Sequence, residues 1–353
     1  MRKFAVFSGF LGSGKTTAMM ALTKYHTAHR GKAAMISNDL GEGVTLADHR
    51  LAVLSGANAA EITDECICVC HDVLTRQLEA FYADGCQLVL SDIPGFGVGA
   101  LEHVYHGLSR DYAGRYELAP FTVLIEPRNA ALLRAGEGGD MAHILRAQLL
   151  EADLIVLTKR DLMTGEETAD ALAWLAERYP QAQCIAISAV SGDGLEELSR
   201  ALTEGRASMR HPEIDYDDED LQNAMDQLTE FYLQYHATVC CDDFDGTAYL
   251  ADMGRAIQAE LQAGGFEVPH MKLLAWTPEG DYGKVDLLGV DRPIELTRRF
   301  ERPCTELAAV LNANASCPAA KLDEVITGAV NAVSQLYQLE LLIFKKECFN
   351  LGE

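Results

Sequence analysis

A doubly wound, mostly parallel α/β sheet followed by a smaller α+β domain is the architecture this sequence predicts, on three observations. Short apolar runs alternate with helix-compatible segments from residue 3 to about Leu202. A glycine-rich stretch, Gly9-Phe10-Leu11-Gly12-Ser13-Gly14-Lys15-Thr16-Thr17, joins the first run to the first helix. Beyond an acidic tract, the remaining runs read mainly as strands before a final helix.

The run KFAVFS (residues 3–8) ends at Gly9, and the stretch from Lys15 to about His29 is helical, which gives strand, loop, helix. Further strands are expected at Ala33–Ser37, Gln87–Asp92, Phe121–Ile125, Asp153–Thr158 and Gln183–Ser188, with helices at Asp72–Ala83 and Glu166–Tyr179. Strands that alternate with helices pair in parallel, because each crossover helix returns the chain to the same end of the sheet. His211–Asp226, dense in carboxylates (EIDYDDED), reads as a solvated hinge running into a short acidic helix. After it come strands at Tyr232–Cys240, Val268–Trp276, Tyr282–Val290 and Leu307–Ala315, and helices at Tyr249–Ala263 and Ala319–Leu342. The expected organisation is a nucleotide-binding domain over 1–208, an acidic linker with a short helix over 209–228, and an α+β C-terminal domain over 229–353.

Composition narrows the function. Of 353 residues 48% are hydrophobic and 23% charged, enough apolar material for well-buried cores. The net charge of −24 repels a polyphosphate backbone and no basic stripe offsets it, so nucleic acid is not an expected partner. No apolar run approaches the ~18 residues of a membrane span. The first strand enters the glycine-rich loop directly, with no room for a signal peptide, so a cytoplasmic protein is expected. Ten cysteines in a reducing compartment are thiols for packing, metal or catalysis rather than a disulfide framework.

The glycine-rich stretch satisfies G-x-x-x-x-G-K-[ST] after a strand and before a helix, the context a phosphate-binding P-loop requires. Gly9, Gly12 and Gly14 let backbone N–H groups of the loop, with Ser13 and Thr17, point at phosphate oxygens, and the helix adds the positive end of its dipole. Lys15 then contacts the β/γ-phosphates and Thr16 ligates Mg²⁺. In Ser91-Asp92-Ile93-Pro94-Gly95, Asp92 at a strand end can hold Mg²⁺ or its water, and the Gly95 N–H can sense a γ-phosphate. Asp39, after the second strand, falls in the expected first switch region. Lys15, Thr16, Asp92 and Gly95 are the candidate catalytic set.

The base is expected to be guanine. Thr158-Lys159-Arg160-Asp161 follows a strand and resembles the N-K-x-D motif of GTPases, with Thr158 in the usual Asn position, which alters one supporting hydrogen bond. A carboxylate at Asp161 accepts from both N1–H and N2–H of guanine, donors that adenine lacks. Ser188-Ala189 resembles the later GTPase loop whose backbone N–H meets the guanine carbonyl.

These residues, with Asn38-Asp39-Leu40-Gly41-Glu42 and Glu65-Cys66-Ile67-Cys68-Val69-Cys70, resemble the CobW-like GTPases, relatives of the nickel-insertion GTPases of urease and hydrogenase, over roughly residues 1–205. The resemblance implies GTP turnover that times the delivery of a metal, or the maturation of a metalloenzyme or cobalamin system, with a client protein as partner. The family signature is C-x-C-C, and this chain has C-x-C-x-C, with Val69 where the last Cys would stand. On an extended segment, thiols spaced two apart share one face, so Cys66, Cys68 and Cys70 can converge on Zn²⁺, Co²⁺ or Ni²⁺. A fourth ligand would come from His71 or Glu42, or the position would stay open for transfer. The cluster lies between Asp39 and Asp92, where γ-phosphate orders switch segments.

Weaker features are Cys240-Cys241 and His270, both read as packing rather than ligands. No arginine finger or water-orienting glutamine stands out, so a client or a second copy of the chain in a homodimer is the expected source of the missing group. The alternative is a nucleotide-gated module that grips a client, such as a corrinoid protein, without carrying metal.

Overall fold

The computed structural model describes residues 2–43, 46–239 and 242–352. Cys240 and Cys241 lie outside the described residues. The chain forms two compact bodies, the first made of residues 1–40 and 55–224, the second of 41–54 and 225–353.

In chain order the elements are β1 (Lys3–Ser8), α1 (Lys15–His29), β2 (Ala33–Asn38), α2 (Ala47–Leu54), β3 (Ala59–Ile62), α3 (His71–Ala83) and β4 (Leu88–Asp92). A π-helical turn (Leu101–His106) runs into α4 (Gly107–Asp111), followed by β5 (Glu117–Leu118), β6 (Thr122–Ile125), α5 (Pro127–Ala135) and α6 (Met141–Glu151). Then come β7 (Leu154–Leu157), α7 (Gly165–Arg178), β8 (Gln183–Ala186), α8 (Leu195–Glu204) and α9 (Glu219–Asp226). The last stretch holds β9 (Thr229–Val239), α10 (Gly246–Ala263), β10 (His270–Trp276), β11 (Tyr282–Leu287), β12 (Glu295–Arg298), β13 (Glu306–Ala315), α11 (Ala319–Leu336) and β14 (Leu339–Asn350).

The first body is the expected parallel sheet, in the order β3-β2-β4-β1-β6-β7-β8 with short β5 beside β1. Every residue of β1, β2, β4, β6 and β7 is buried, as strands covered by helices on both faces must be, and burial falls off at the edge strands β3 and β8 and at short β5. β1 sits where the strand order reverses, between β4 and β6, and the loop at its carboxyl end opens into the crevice where such sheets bind ligands.

The second body is an antiparallel sheet in the order β12-β11-β10-β13-β9-β14. Period-two alternation splits its residues between two layers. Met271, Leu273 and Ala275 of β10, and Leu307, Ala309, Leu311 and Ala313 of β13, join one core with α10 and α11. Leu274 and Val310 point the other way and pack with Ala47, Leu51 and Leu54 of α2. Polar contacts pin α2 in place: Ala47 N–H donates to Asn312 Oδ1 (3.1 Å), Lys272 pairs with Asp48, and the Arg50 guanidinium lies 4.4 Å from the Trp276 ring centre.

Two expectations are corrected. The domains do not divide once, near residue 208, because the apolar face of α2 is covered by the second sheet, so 41–54 belongs to the second body. The final helix stops at Leu336 instead of Leu342: Gln338 turns with φ of 55°, and the β-favouring run that follows forms β14 against β9. Ala47→Asp, which buries a carboxylate between Leu274 and Val310, is expected to destabilise the second body by roughly 2–4 kcal/mol, read from chemical denaturation.

Candidate nucleotide and metal site

The phosphate loop is fixed by conformations only glycine takes easily. Gly9, Gly12 and Gly14 have φ of 132°, 76° and 88°. A Cβ on Gly9 would stand 2.3 Å from the Leu124 carbonyl oxygen, so β6 packs directly on the loop backbone. Gly14 caps the fifteen-residue α1, whose first-turn N–H groups face the loop. Lys15 Nζ folds over the loop to donate to the Gly9 carbonyl (2.6 Å). Thr16 is buried beside it, and the buried Ser13 hydroxyl has no hydrogen-bond partner. Positive-φ glycines, a helix N-terminus and an orphaned hydroxyl fit a ligand rich in anionic oxygen.

Asp92 closes β4 and Gly95 lies against the loop, since a Cβ there would come within 2.6 Å of Leu11. The segment after Asp92 is strapped to α6. Gln148 Nε2 donates to the carbonyls of Gly95 and Gly97, both at 3.0 Å, and Leu101 N–H donates to Glu151 Oε1 (3.1 Å). Burial raises the Glu151 carboxyl to about 7, opposed by hydrogen bonds from Leu101 and Gly99 and by the Arg210 charge, and reinforced by Glu102.

At the end of β7, Thr158 Oγ1 donates to the Ser13 carbonyl (2.8 Å), which ties this strand end to the phosphate loop. A hydroxyl thus supplies a donor to the loop at the position where the motif usually has an amide. Lys159, with φ of 53°, pairs with Glu126 (2.6 Å). Asp161 is exposed in the turn Arg160–Leu162. Arg160 N–H donates to the Ile187 carbonyl (3.0 Å), joining this turn to the strand end that leads into Ser188 and Ala189. Ser188 N–H donates to Asp193 O (2.9 Å), and its Oγ accepts from Ser191 N–H (3.0 Å), which closes the loop that follows.

The cysteine segment is a turn rather than the extended stretch expected from the spacing. Asp64 takes φ of 77°, and Val69 and Cys70 N–H both donate to the Cys66 carbonyl. The turn sets the Cys66 and Cys68 sulfurs 2.9 Å apart and sends Cys70 elsewhere: its thiol donates to the Cys66 carbonyl (3.3 Å) at the start of α3. Cys66 Sγ accepts from the Cys68 thiol and from Cys68 N–H (3.4 Å), so Cys66 ionises below the usual thiol value and Cys68 is pushed up. Asp39 and Asp92 oppose ionisation of Cys66 through their negative charge. Burial raises the Cys70 thiol to about 11. His71 packs on Gly107 with Nδ1 4.0 Å from Asp111, and Glu42 belongs to the second body, its N–H donating to Glu347 (2.9 Å). His270 pairs with Asp286 inside the second body, with burial lowering it to about 4, and is a packed polar residue as read from the sequence.

Residues 3–186 match the family model described as CobW/HypB/UreG, nucleotide-binding domain. The chain belongs to this family. Among curated proteins it is similar to the zinc chaperone YeiR of Escherichia coli (strain K12), 30% identical over 220 residues. That match spans 60% of this chain and 63% of the relative, less than two thirds of the relative's length. Solved structures similar to it include nickel-bound HypB from Helicobacter pylori (17% identity, 57% of this chain, 86% of that chain, TM-score 0.40). Another is Zn(II)-bound YjiA GTPase from E. coli (15% identity, 92% of this chain, 98% of that chain, TM-score 0.36).

Within the CobW/HypB/UreG domain, sequence reasoning gave no role to Asn38, Gln148, Glu151 or Glu126. A buried amide or carboxylate inside an apolar helix or at a strand end is their signal, and it is too common to single them out without coordinates. Thr158→Ala removes a donor from a buried carbonyl at a cost of about 1–3 kcal/mol. GTP affinity, measured by titration calorimetry, is expected to fall about fivefold to a hundredfold. An unfolded Glu151 ionises near 4.5 and the folded one near 7, so the native state holds the extra proton between these values. Stability therefore declines as pH rises from about 5 through about 7, and Glu151→Gln is expected to flatten that slope in denaturation curves recorded across this range.

Proposed function

We propose that this chain is a GTP-binding and GTP-hydrolysing accessory protein that couples nucleotide turnover to delivery of a transition metal to a client protein in the cytoplasm. The observation that carries this reading is the paired thiols of Cys66 and Cys68 beside the Asp92 end of β4, where the charge of that carboxylate bears on Cys66. The similarity to a protein named as a zinc chaperone supports Zn²⁺ as cargo, with Co²⁺ or Ni²⁺ as candidates of the same ligand preference. Two convergent sulfurs leave coordination positions for a client's own ligands, which suits transfer better than storage. Cys70 would join them only by giving up its bond to the Cys66 carbonyl.

GTP would lie with its phosphates on Gly9–Thr17 and its base against Asp161 and the Ser188-Ala189 loop. Mg²⁺, held by Thr16 and Asp92, would neutralise developing charge on the transferring phosphoryl group. Lys15, the loop amides and the Gly95 N–H would supply the remaining stabilisation by position and charge. A client, or a second copy of the chain, would complete the site and speed a slow intrinsic reaction. The metalloenzyme served, including any cobalamin-dependent one, belongs to this same proposal. No described helix is long and apolar enough to cross a membrane.

Equilibrium dialysis against Zn²⁺, Co²⁺ and Ni²⁺, with and without a non-hydrolysable GTP analogue and Mg²⁺, tests the reading. One of these ions is expected to bind with nucleotide-dependent affinity and to be lost from the Cys66/Cys68/Cys70→Ser triple variant. Equal binding by the variant would remove metal cargo and favour a nucleotide-gated module acting on a client such as a corrinoid protein.

A further inference from the structure

Asn38 is the last residue of β2, 4% exposed, and every polar group of its side chain is engaged. Its two Nδ2 hydrogens go to the carbonyls of Ile62 (3.1 Å) and Glu65 (2.8 Å), and its Oδ1 accepts from Ile67 N–H (3.0 Å). The Glu65 carbonyl and the Ile67 N–H belong to the peptide groups before and after Cys66. One amide therefore grips both sides of the residue whose sulfur meets Cys68, and the direction of that sulfur follows the orientation of the amide. The backbone N–H of the same Asn38 donates to Asp92 Oδ1 (2.8 Å), the carboxylate at the phosphate end of β4.

We propose that Asn38 is the positioning residue through which occupancy of the phosphate site sets the geometry of the Cys66–Cys68 pair. This rests on the reading of Asp92 as a group that meets Mg²⁺–nucleotide. A cation on Asp92 draws charge away from the oxygen that receives the Asn38 N–H, and this bond weakens. The tip of β2 then readjusts, and the rigid side-chain amide carries the readjustment to both peptides flanking Cys66. Coupling of this kind requires that the thiol pair have two geometries with different affinity for its ligand, which is the only way nucleotide could change metal binding. The Cys70 thiol also reaches these peptides, at the Cys66 carbonyl (3.3 Å) and the Glu65 carbonyl (3.9 Å), and Asn38 differs from it in the backbone bond to Asp92.

The experiment compares wild type with Asn38→Ala and with the isosteric Asn38→Asp, which sets a carboxylate oxygen against two carbonyls. Two readouts are taken with and without Mg²⁺ and a non-hydrolysable GTP analogue: Zn²⁺ affinity by chelator competition, and the iodoacetamide alkylation rates of Cys66 and Cys68 in metal-free protein, by mass spectrometry. Wild type is expected to change about tenfold between nucleotide states in both readouts, a coupling of ordinary size, and each variant by less than about twofold. Melting temperature and analogue affinity are recorded alongside, so that a general loss of folding is not mistaken for lost coupling. Variants that keep the wild-type ratio overturn the role of Asn38 while leaving metal cargo standing. Zn²⁺ binding that ignores Cys66 and Cys68 overturns metal cargo, and the alkylation ratio still decides the role of Asn38. If neither variant folds, hydrogen exchange at the Ile67 amide of wild type decides: protection that changes about tenfold with nucleotide supports the coupling, and unchanged protection overturns it.

Discussion

Parallel register is the constraint on which the site depends. Phe7 of β1 stands beside Asp92 of β4, Ile36 of β2 beside Ser91, and Asn38 beside Ile62 of β3. Because both faces of these strands are buried, a one-residue slip would turn every side chain to the opposite layer, and the apolar cores would not close. The register thus brings the start of the phosphate loop, the carboxylate of Asp92, the tip of β2 and the cysteine turn to one edge of one sheet.

The same edge explains the electrostatics. An isolated thiol so near two carboxylates would be held protonated, yet Cys66 ionises more easily than an ordinary cysteine because a neighbouring S–H and a backbone N–H both donate to it. Cys68 is the donor and carries the cost of that arrangement in a raised value of its own. Gln148 and Glu151 hold the backbone after Asp92 in a comparable way, the amide donating to the Gly95 and Gly97 carbonyls and the carboxyl accepting from Leu101 N–H.

How much of this was legible in the sequence follows from what each feature depends on. The phosphate loop was readable because its glycines are required by local backbone angles, and the strands around it because full burial leaves unbroken apolar runs. Thr158 could be seen as a departure from the usual motif, but not that its hydroxyl still reaches the Ser13 carbonyl, since that is a distance between segments 145 residues apart. The thiols were readable as a cluster while their shape was not: spacing alone favours an extended segment, and the bonds that bend it come from Asn38 and from the turn itself. β14 was hidden because LELLIF continues the apolar content of the helix before it, and only the turn at Gln338 separates them. α2 was invisible as part of the second body because its partners Leu274 and Val310 lie more than two hundred residues downstream.

The excursion of residues 41–54 has an evolutionary consequence. A carboxyl-terminal half exchanged into this chain by a single crossover in the acidic hinge would set its sheet against a foreign α2. Ala47, Leu51 and Leu54 must drift together with Leu274 and Val310, and Asp48 with Lys272. The segment after β2 therefore carries the pedigree of the half it packs on, although it is encoded within the other.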